Sequence, residues 1–362
     1  MNLRVFALAL LLVDACLFCD AQESTTIGGY GELHYNEPDG AARGKLDFHR
    51  FVLFLAHGFN ENLSFKSEVE IEHTKIEGGE GGEVAVEQAY LDWHFSSAIG
   101  LRAGIVLPPV GIINQYHEPP SFNGVERPNV DHYVIPSTWR ESGAGIYVSF
   151  TEGVNYQLYV VAGLLAKNFD GAEGIYEGKQ EALESSPANP SVTGRLDFAP
   201  SPDLKLGSSF FLGKTTDGDD AAGSGMLTLL SGDARWSYGR FMLRAEGTFE
   251  TIGDAEMINA EFGNDVADQI YGFYCEGAYD IMPYLVRESD QTLSPFVRYE
   301  KYNTQAKVTG FTANPAYDRN EITVGATYKP TFNTAFKIDY QFFNNAADLN
   351  TRQFNLGIGY SF

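Results

Sequence analysis

The segment Asn355-Leu356-Gly357-Ile358-Gly359-Tyr360-Ser361-Phe362 alternates apolar with small or polar residues up to an aromatic. Side chains of a strand alternate between two faces, so Phe354, Leu356, Ile358, Tyr360 and Phe362 share one face while Gln353, Asn355, Gly357, Gly359 and Ser361 share the other. One face is greasy and carries a terminal aromatic; the other is small or polar. Such a pattern is expected of the closing strand of an outer-membrane β-barrel, with the first face toward lipid and the second toward a lumen.

The same period-two rhythm recurs along the chain, broken by turn signals, and it predicts about sixteen strands. They fall at 25–36, 46–57, 61–75, 84–95, 99–107, 142–151, 154–165, 191–199, 203–213, 225–238, 240–252, 268–281, 293–303, 319–329, 332–344 and 351–362. Counted from a periplasmic N-terminus, the odd connections are long (37–45, 76–83, 108–141, 166–190, 214–224, 253–267, 304–318, 345–350). The even ones are mostly tight turns such as Glu152-Gly153 and Pro330-Thr331, with 282–292 the exception. Long loops on one rim and short turns on the other is the outer-membrane barrel rule, and a soluble sandwich has no reason to keep it. The fold class expected is therefore all-β, a transmembrane antiparallel barrel in a single domain over 22–362. The 20 Tyr, 26 Phe and 38 Gly suit strands and turns. Nothing after residue 21 approaches the roughly 18 consecutive apolar residues of a helical span.

At the other end, Arg4 followed by Val5 to Val13 and small residues up to Ala21 reads as a cleaved export signal over 1–21, which implies an outer-membrane destination. A lipoprotein-like Val13-Asp14-Ala15-Cys16 competes poorly because an acid precedes Ala15. Cleavage would remove Cys16 and Cys19, leaving Cys275 without a disulfide partner. The formal charge of −23 becomes about −22 once Arg4, Asp14 and Asp20 leave with the signal. This acidity argues against nucleic acid, which needs a basic footprint.

The pleat assigns charges to the lumen. Leu63, Phe65, Val69 and Ile71 point one way, and Lys66, Glu68, Glu70 and Glu72 the other. A Lys or Arg facing lipid at mid-membrane costs on the order of 2–4 kcal/mol, so the charged file faces inward. The same test places Arg102, Arg195, Lys205, Arg235, Arg244, Arg298 and Lys337 inside, with Asp197, Asp233, Glu246, Glu300 and Asp339. A wet lumen of mixed sign is expected. Cross-strand pairing that merely holds the wall open is the structural reading of these charges, and a basic track for solutes the functional one.

The longest connection, 108–141, contains six prolines and Ile112, Ile113, Tyr116, Phe122, Tyr133, Ile135 and Trp139 among charges. A loop in water has no need of so much apolar surface. It is expected to fold inward and leave Glu118, Glu126, Arg127 and Arg140 at the narrowest point. A lid or adhesive loop is the alternative.

An enzyme embedded in such a barrel needs a nucleophile with a base, and neither Gly-x-Ser-x-Gly nor His-Glu-x-x-His occurs. His117-Glu118 offers too few ligands for a metal, and a loop surface is its expected place. The run Gly78-Gly79-Glu80-Gly81-Gly82 opens no helix and reads as a flexible loop, not a phosphate cradle. No catalytic residue, cofactor or metal is therefore expected.

Several segments carry a family resemblance. Val86-Glu87-Gln88-Ala89-Tyr90-Leu91-Asp92-Trp93, Gly100-Leu101-Arg102-Ala103-Gly104, Pro108-Pro109-Val110-Gly111, His117-Glu118-Pro119-Pro120, Glu126-Arg127-Pro128 and 135–145 together resemble the phosphate-selective porin O and P family and its broader porin relatives. The similarity is strongest over 28–150 and elsewhere lies in strand rhythm. It implies a sixteen-stranded, usually trimeric channel in outer-membrane lipid. The anion-selective members carry an arginine ladder with lysines at the constriction. Here Arg102, Arg195, Arg235, Arg244 and Arg298 are ladder candidates, but the loop has Arg127 and Arg140 and no lysine, and Glu68, Glu70 and Glu72 depart from the pattern. Passive diffusion of small hydrophilic solutes or ions is the expected function, and anion or phosphate selectivity, or a barrel-embedded enzyme or plugged adhesive barrel, the alternatives.

Overall fold

The period-two segments form sixteen antiparallel strands that close on themselves, each paired with its neighbours in sequence and β1 with β16. The computed structural model describes residues 24–40, 43–77 and 80–362. The expected signal over 1–21 and residues Gly78 and Gly79 of the glycine run lie outside the described residues. The strands are β1 (Ser24–Pro38), β2 (Lys45–Gly58), β3 (Leu63–Glu77), β4 (Glu80–His94), β5 (Ile99–Val106), β6 (Glu141–Thr151), β7 (Val154–Val161) and β8 (Ser191–Ser201). They continue as β9 (Leu204–Gly213), β10 (Leu227–Tyr238), β11 (Phe241–Ile252), β12 (Gln269–Tyr279), β13 (Thr292–Lys307), β14 (Asp318–Thr331), β15 (Thr334–Asn345) and β16 (Thr351–Ser361). Every expected strand is present, displaced by at most a few residues at its ends.

The closing strand has the two faces its alternation requires. Leu356 and Ile358 are exposed on the outside, where they adjoin Leu33, Tyr35, Phe336 and Ile338. On the inside, Asn355 is buried and donates to Asp339 Oδ1 (2.7 Å) and Gln341 Oε1 (2.8 Å). All around the barrel large apolar residues are exposed at outward positions, among them Leu53, Val86, Leu91, Leu196, Leu243, Val297 and Val324. At the short-turn rim they become aromatic: Trp93, Phe95, Phe150, Trp236, Tyr238, Phe241, Phe332 and Phe362 are all exposed there. Aromatic girdles of this kind sit at the interface between hydrocarbon and water. Cys275 is also on the exposed face.

Inside, the long connections fill part of the lumen. The hydrophobic core is built from the connections, not from the wall alone. Val110, Ile113, Phe122, Val130, Val134, Ile135 and Trp139 of the 107–140 loop are buried, together with Leu164, Phe169 and Ile175 of the next long loop. Helix α2 (Ala255–Phe262) on the β11–β12 connection adds Ala255 and Ile258, completing a plug of apolar side chains toward the long-loop rim. Two one-turn helices, α1 (Val130–Tyr133) inside the lumen and α3 (Met282–Leu285) on the short-turn side, are the other α-helical segments among the described residues.

Candidate functional site

The chain leaves β5 at Val106 and crosses the lumen before re-entering the wall at Glu141. Two properties of its sequence dictate that path. Its apolar residues find dry partners only inside: Trp139 packs on Phe211 of β9 (ring centroids 4.5 Å apart), and Tyr133 stacks on Tyr302 of β13 (5.3 Å). Its backbone, being neither helix nor sheet, must find partners elsewhere. The wall supplies them as charged side chains.

Wall carboxylates take the loop's N–H groups. Glu246 accepts from Ile112 N (3.2 Å), Asp339 from Val125 N (2.6 Å) and Glu300 from Val130 N (3.1 Å). Glu276 and Glu321 accept from the side chains of Asn123 (3.0 Å) and Asn129 (2.5 Å). Wall cations take the carbonyls. Arg195 donates to Gly111 O (3.1 Å), Arg244 to Ser121 O (2.9 Å) and Lys329 to Pro120 O (2.5 Å). Arg298 reaches the carbonyls of Asn123, Glu126 and Arg127 at 3.3–3.4 Å while pairing with Glu300 (2.9 Å). Each bond spares a buried carbonyl or amide a desolvation cost of about 1–3 kcal/mol.

The twelve residues singled out from the sequence thus divide by position. Arg195, Arg244 and Arg298 grip the loop backbone; Arg195 and Arg298 are buried beneath it rather than at a lumenal surface. Glu70, Glu126, Arg127 and Arg140 come together around a cavity of about 720 Å³ toward the long loops. There Arg140 pairs with Glu181 (2.8 Å), Glu126 with His34 (3.2 Å), and Arg127 makes no ion pair among the described residues. Arg102, Lys205 and Arg235 line a second cavity of about 670 Å³ toward the short turns. Arg102 lies beside Asp92 (3.4 Å) and over the Tyr147 ring (4.6 Å), and Arg235 beside Asp233 (3.6 Å). Glu118 is half-buried at the start of a short turn of helix and lines neither of these two cavities. Glu68 is buried in the wall. The two cavities share no lining residue, because the loop lies between them.

His117 is not on a loop surface, as expected from the sequence, but buried against Glu68 and Glu87. Tyr116, its neighbour, is exposed and lines the lower cavity. The electrostatics inside the loop are strained in one place: burial, with the nearby carboxylates of Glu246 and Glu300, pushes Asp131 well above the usual aspartate range. Both of its carboxyl oxygens lack a hydrogen-bond partner.

No protein-family profile matches the chain. Over 333 residues it is 38% identical to an uncharacterized protein of Aquifex aeolicus (strain VF5), an alignment that spans 88% of this chain and 76% of that one. The chain belongs to the family of that Aquifex protein. Its fold is the one found in outer-membrane porins. It resembles OmpF of Salmonella typhi, solved with daunomycin (TM-score 0.62, 15% identity, 93% of this chain and 97% of that one). It also resembles the outer membrane channel DcaP of Acinetobacter baumannii (TM-score 0.62, 11% identity, 96% and 100%). A third likeness is to an anion-selective porin of Comamonas acidovorans (TM-score 0.60, 15% identity, 94% and 100%).

Beyond the residues read from the sequence, Arg50, Lys179 and Arg319 also line the upper cavity. Arg50 lies between Glu32 (2.8 Å) and Glu70 (3.2 Å). Arg319 lies over Tyr133 (4.3 Å), and Lys179 over Tyr176 (3.5 Å). Arg50 could have been found, since it alternates with the outward Leu53 and Leu55 of β2. Lys179 sits in a loop and Arg319 at a strand end, where period two carries no signal.

Proposed function

We propose that the chain is an outer-membrane porin that lets small hydrophilic solutes or ions cross passively, with the inward loop as its constriction. The observation that carries this reading is the pair of polar cavities, one on each side of the loop, within a closed barrel whose outside is apolar and aromatic-rimmed. Outer-membrane lipid covers the apolar belt, and the working unit is a homotrimer.

Selectivity in this reading is weak or cation-leaning. Around the upper cavity Arg50, Arg127, Arg140, Lys179 and Arg319 are outnumbered by Glu32, Glu70, Glu72, Glu83, Glu126, Glu181 and Glu321. Arg102, Arg195, Arg235 and Arg298 each lie within 3.7 Å of a carboxylate, which argues against a free arginine ladder. The anion- or phosphate-selective alternative keeps the support of Arg127 and Arg319, which line the upper cavity and make no ion pair among the described residues.

Swelling of liposomes carrying the purified protein, in neutral sugars of graded size, tests the proposal. Entry that declines with sugar size supports a diffusion channel. Absence of swelling with every sugar favours a plugged scaffold, and hydrolysis of added lipid or peptide favours an enzyme.

A further inference from the structure

The place where the loop meets β3 and β4 has a property that conduction does not require. On β4, Val84, Val86, Leu91 and Trp93 face outward. Glu87 and Gln88 nevertheless both face inward, because the register against β3 slips between Glu68 and Val69. A bulge of this kind re-aims one side chain. It sets Glu87 next to Glu68 on the neighbouring strand, and the loop lowers His117 onto both.

His117 Nε2 lies 3.3 Å from Glu87 Oε2 and 3.5 Å from Glu68 Oε1. The three residues are 2%, 0% and 3% exposed. His117 Nδ1 is 3.0 Å from the Asn114 carbonyl, which can accept its N–H, and Nε2 faces the carboxylates. Gln88 donates to Glu68 Oε2 (2.6 Å), which orients that carboxylate in turn. Glu68 Oε1 and Glu87 Oε1 are buried without a hydrogen-bond partner.

Two carboxylates this deep need a cation, since an unpaired buried charge costs several kcal/mol. An imidazolium is one such cation, and a metal ion held by all three side chains is another. The separations of 3.3 and 3.5 Å match the spacing of about 3.4 Å between two ligand atoms that each lie about 2.1 Å from a tetrahedral metal ion. One imidazole with its far N–H on a backbone carbonyl, and carboxylates held by a second ring of hydrogen bonds, is the donor set of a divalent first-row metal.

We propose that Glu68, Glu87 and His117 bind one divalent transition-metal ion such as Zn2+, which cross-links the inward loop to β3 and β4. Gln88 lines the lower cavity and gives the ion its entrance. A second group of suitable residues, Asp47, His49 and His73 at the rim, is partly exposed, and its Asp47 Oδ2 already takes a 2.6 Å hydrogen bond from His73. It serves as the internal control.

The full chain, folded in detergent and stripped with chelator, is titrated with Co2+ by visible absorption and with Zn2+ by calorimetry. One ion per chain is expected, with the d–d bands of a low-coordinate site. Glu87→Gln and His117→Gln should weaken binding about tenfold or more, while the double variant His49→Gln/His73→Gln leaves it unchanged. Should Glu87→Gln or His117→Gln fail to fold, Cu2+ bound to the wild type is read by electron paramagnetic resonance, where coupling to one imidazole nitrogen is expected. No binding by the wild type, a two-imidazole signal, or loss of binding only in the rim double variant overturns the proposal.

Discussion

A Cβ added to Gly359 would stand 2.3 Å from Cβ of Pro119, so the closing strand and the inward loop touch backbone to ring at this point. One residue pair along, Gly357 does the same for Val125, whose side chain would lie 3.0 Å from an added Cβ. The two glycines of the C-terminal alternation are therefore small because the loop lies on them. Replacing Gly359 with Val should cost the docked loop about 1–3 kcal/mol by overpacking and raise the single-channel conductance. Gly232→Ala, where an added Cβ meets nothing nearer than 4.0 Å, should leave it unchanged. Planar-bilayer recordings of the two variants check this.

Arg298 is the loop's most heavily used anchor, holding three of its carbonyls while pairing with Glu276 and Glu300. Arg298→Gln leaves those carboxylates buried without their cation. Loss of one partner of a buried pair costs about 3–5 kcal/mol. The thermal midpoint should fall, and a broad-specificity protease should cut within 108–140 at temperatures where the wild type resists.

Charge at the upper cavity should set ion preference. Neutralising Arg127 and Arg140 together, as Gln, should shift the reversal potential under a salt gradient toward cations. The change in permeability ratio should be a few-fold, which corresponds to ~0.5–1 kcal/mol of Coulomb energy in a wet site. Arg127 alone should give most of the shift, because Arg140 is already paired with Glu181. An unchanged potential in the double variant removes these residues from the constriction.

Asp131 gives the fold a pH dependence of known sign. Its carboxyl holds a proton in the folded chain that the unfolded chain releases, because burial and the carboxylates of Glu246 and Glu300 raise its folded pKa. The folded state then binds more protons, so this group's contribution declines as pH rises from the ordinary aspartate range toward the raised value, by about 1.4 kcal/mol per unit. Asp131→Asn removes that slope. Melting curves from pH 4 upward should show the variant gaining on the wild type as pH increases.

The strands were legible because a membrane wall imposes period two on every stave, and even the tight turns at Glu152-Gly153 and Pro330-Thr331 could be placed. The inward course of the loop was legible from Ile112, Phe122 and Trp139, which have no place in water. What Arg195, Arg298 and Glu246 do was not, because a side chain bonded to a distant backbone carbonyl or amide leaves no pattern in sequence. Period two gave their facing correctly and could not say that the loop would cover them. The bulge at Glu87 breaks the alternation by one residue, so the meeting of Glu68, Glu87 and His117 was equally hidden. Lumenal charge that reads as a wet channel is, in large part, the fastening of a loop.

Single-channel recording of the purified wild-type chain in planar bilayers shows whether a loop fastened to the wall by its backbone divides a conducting lumen. Discrete, small current steps that become larger in Gly359→Val are expected. Bilayers that stay silent with both proteins, after insertion has been verified, mean that the lumen does not conduct.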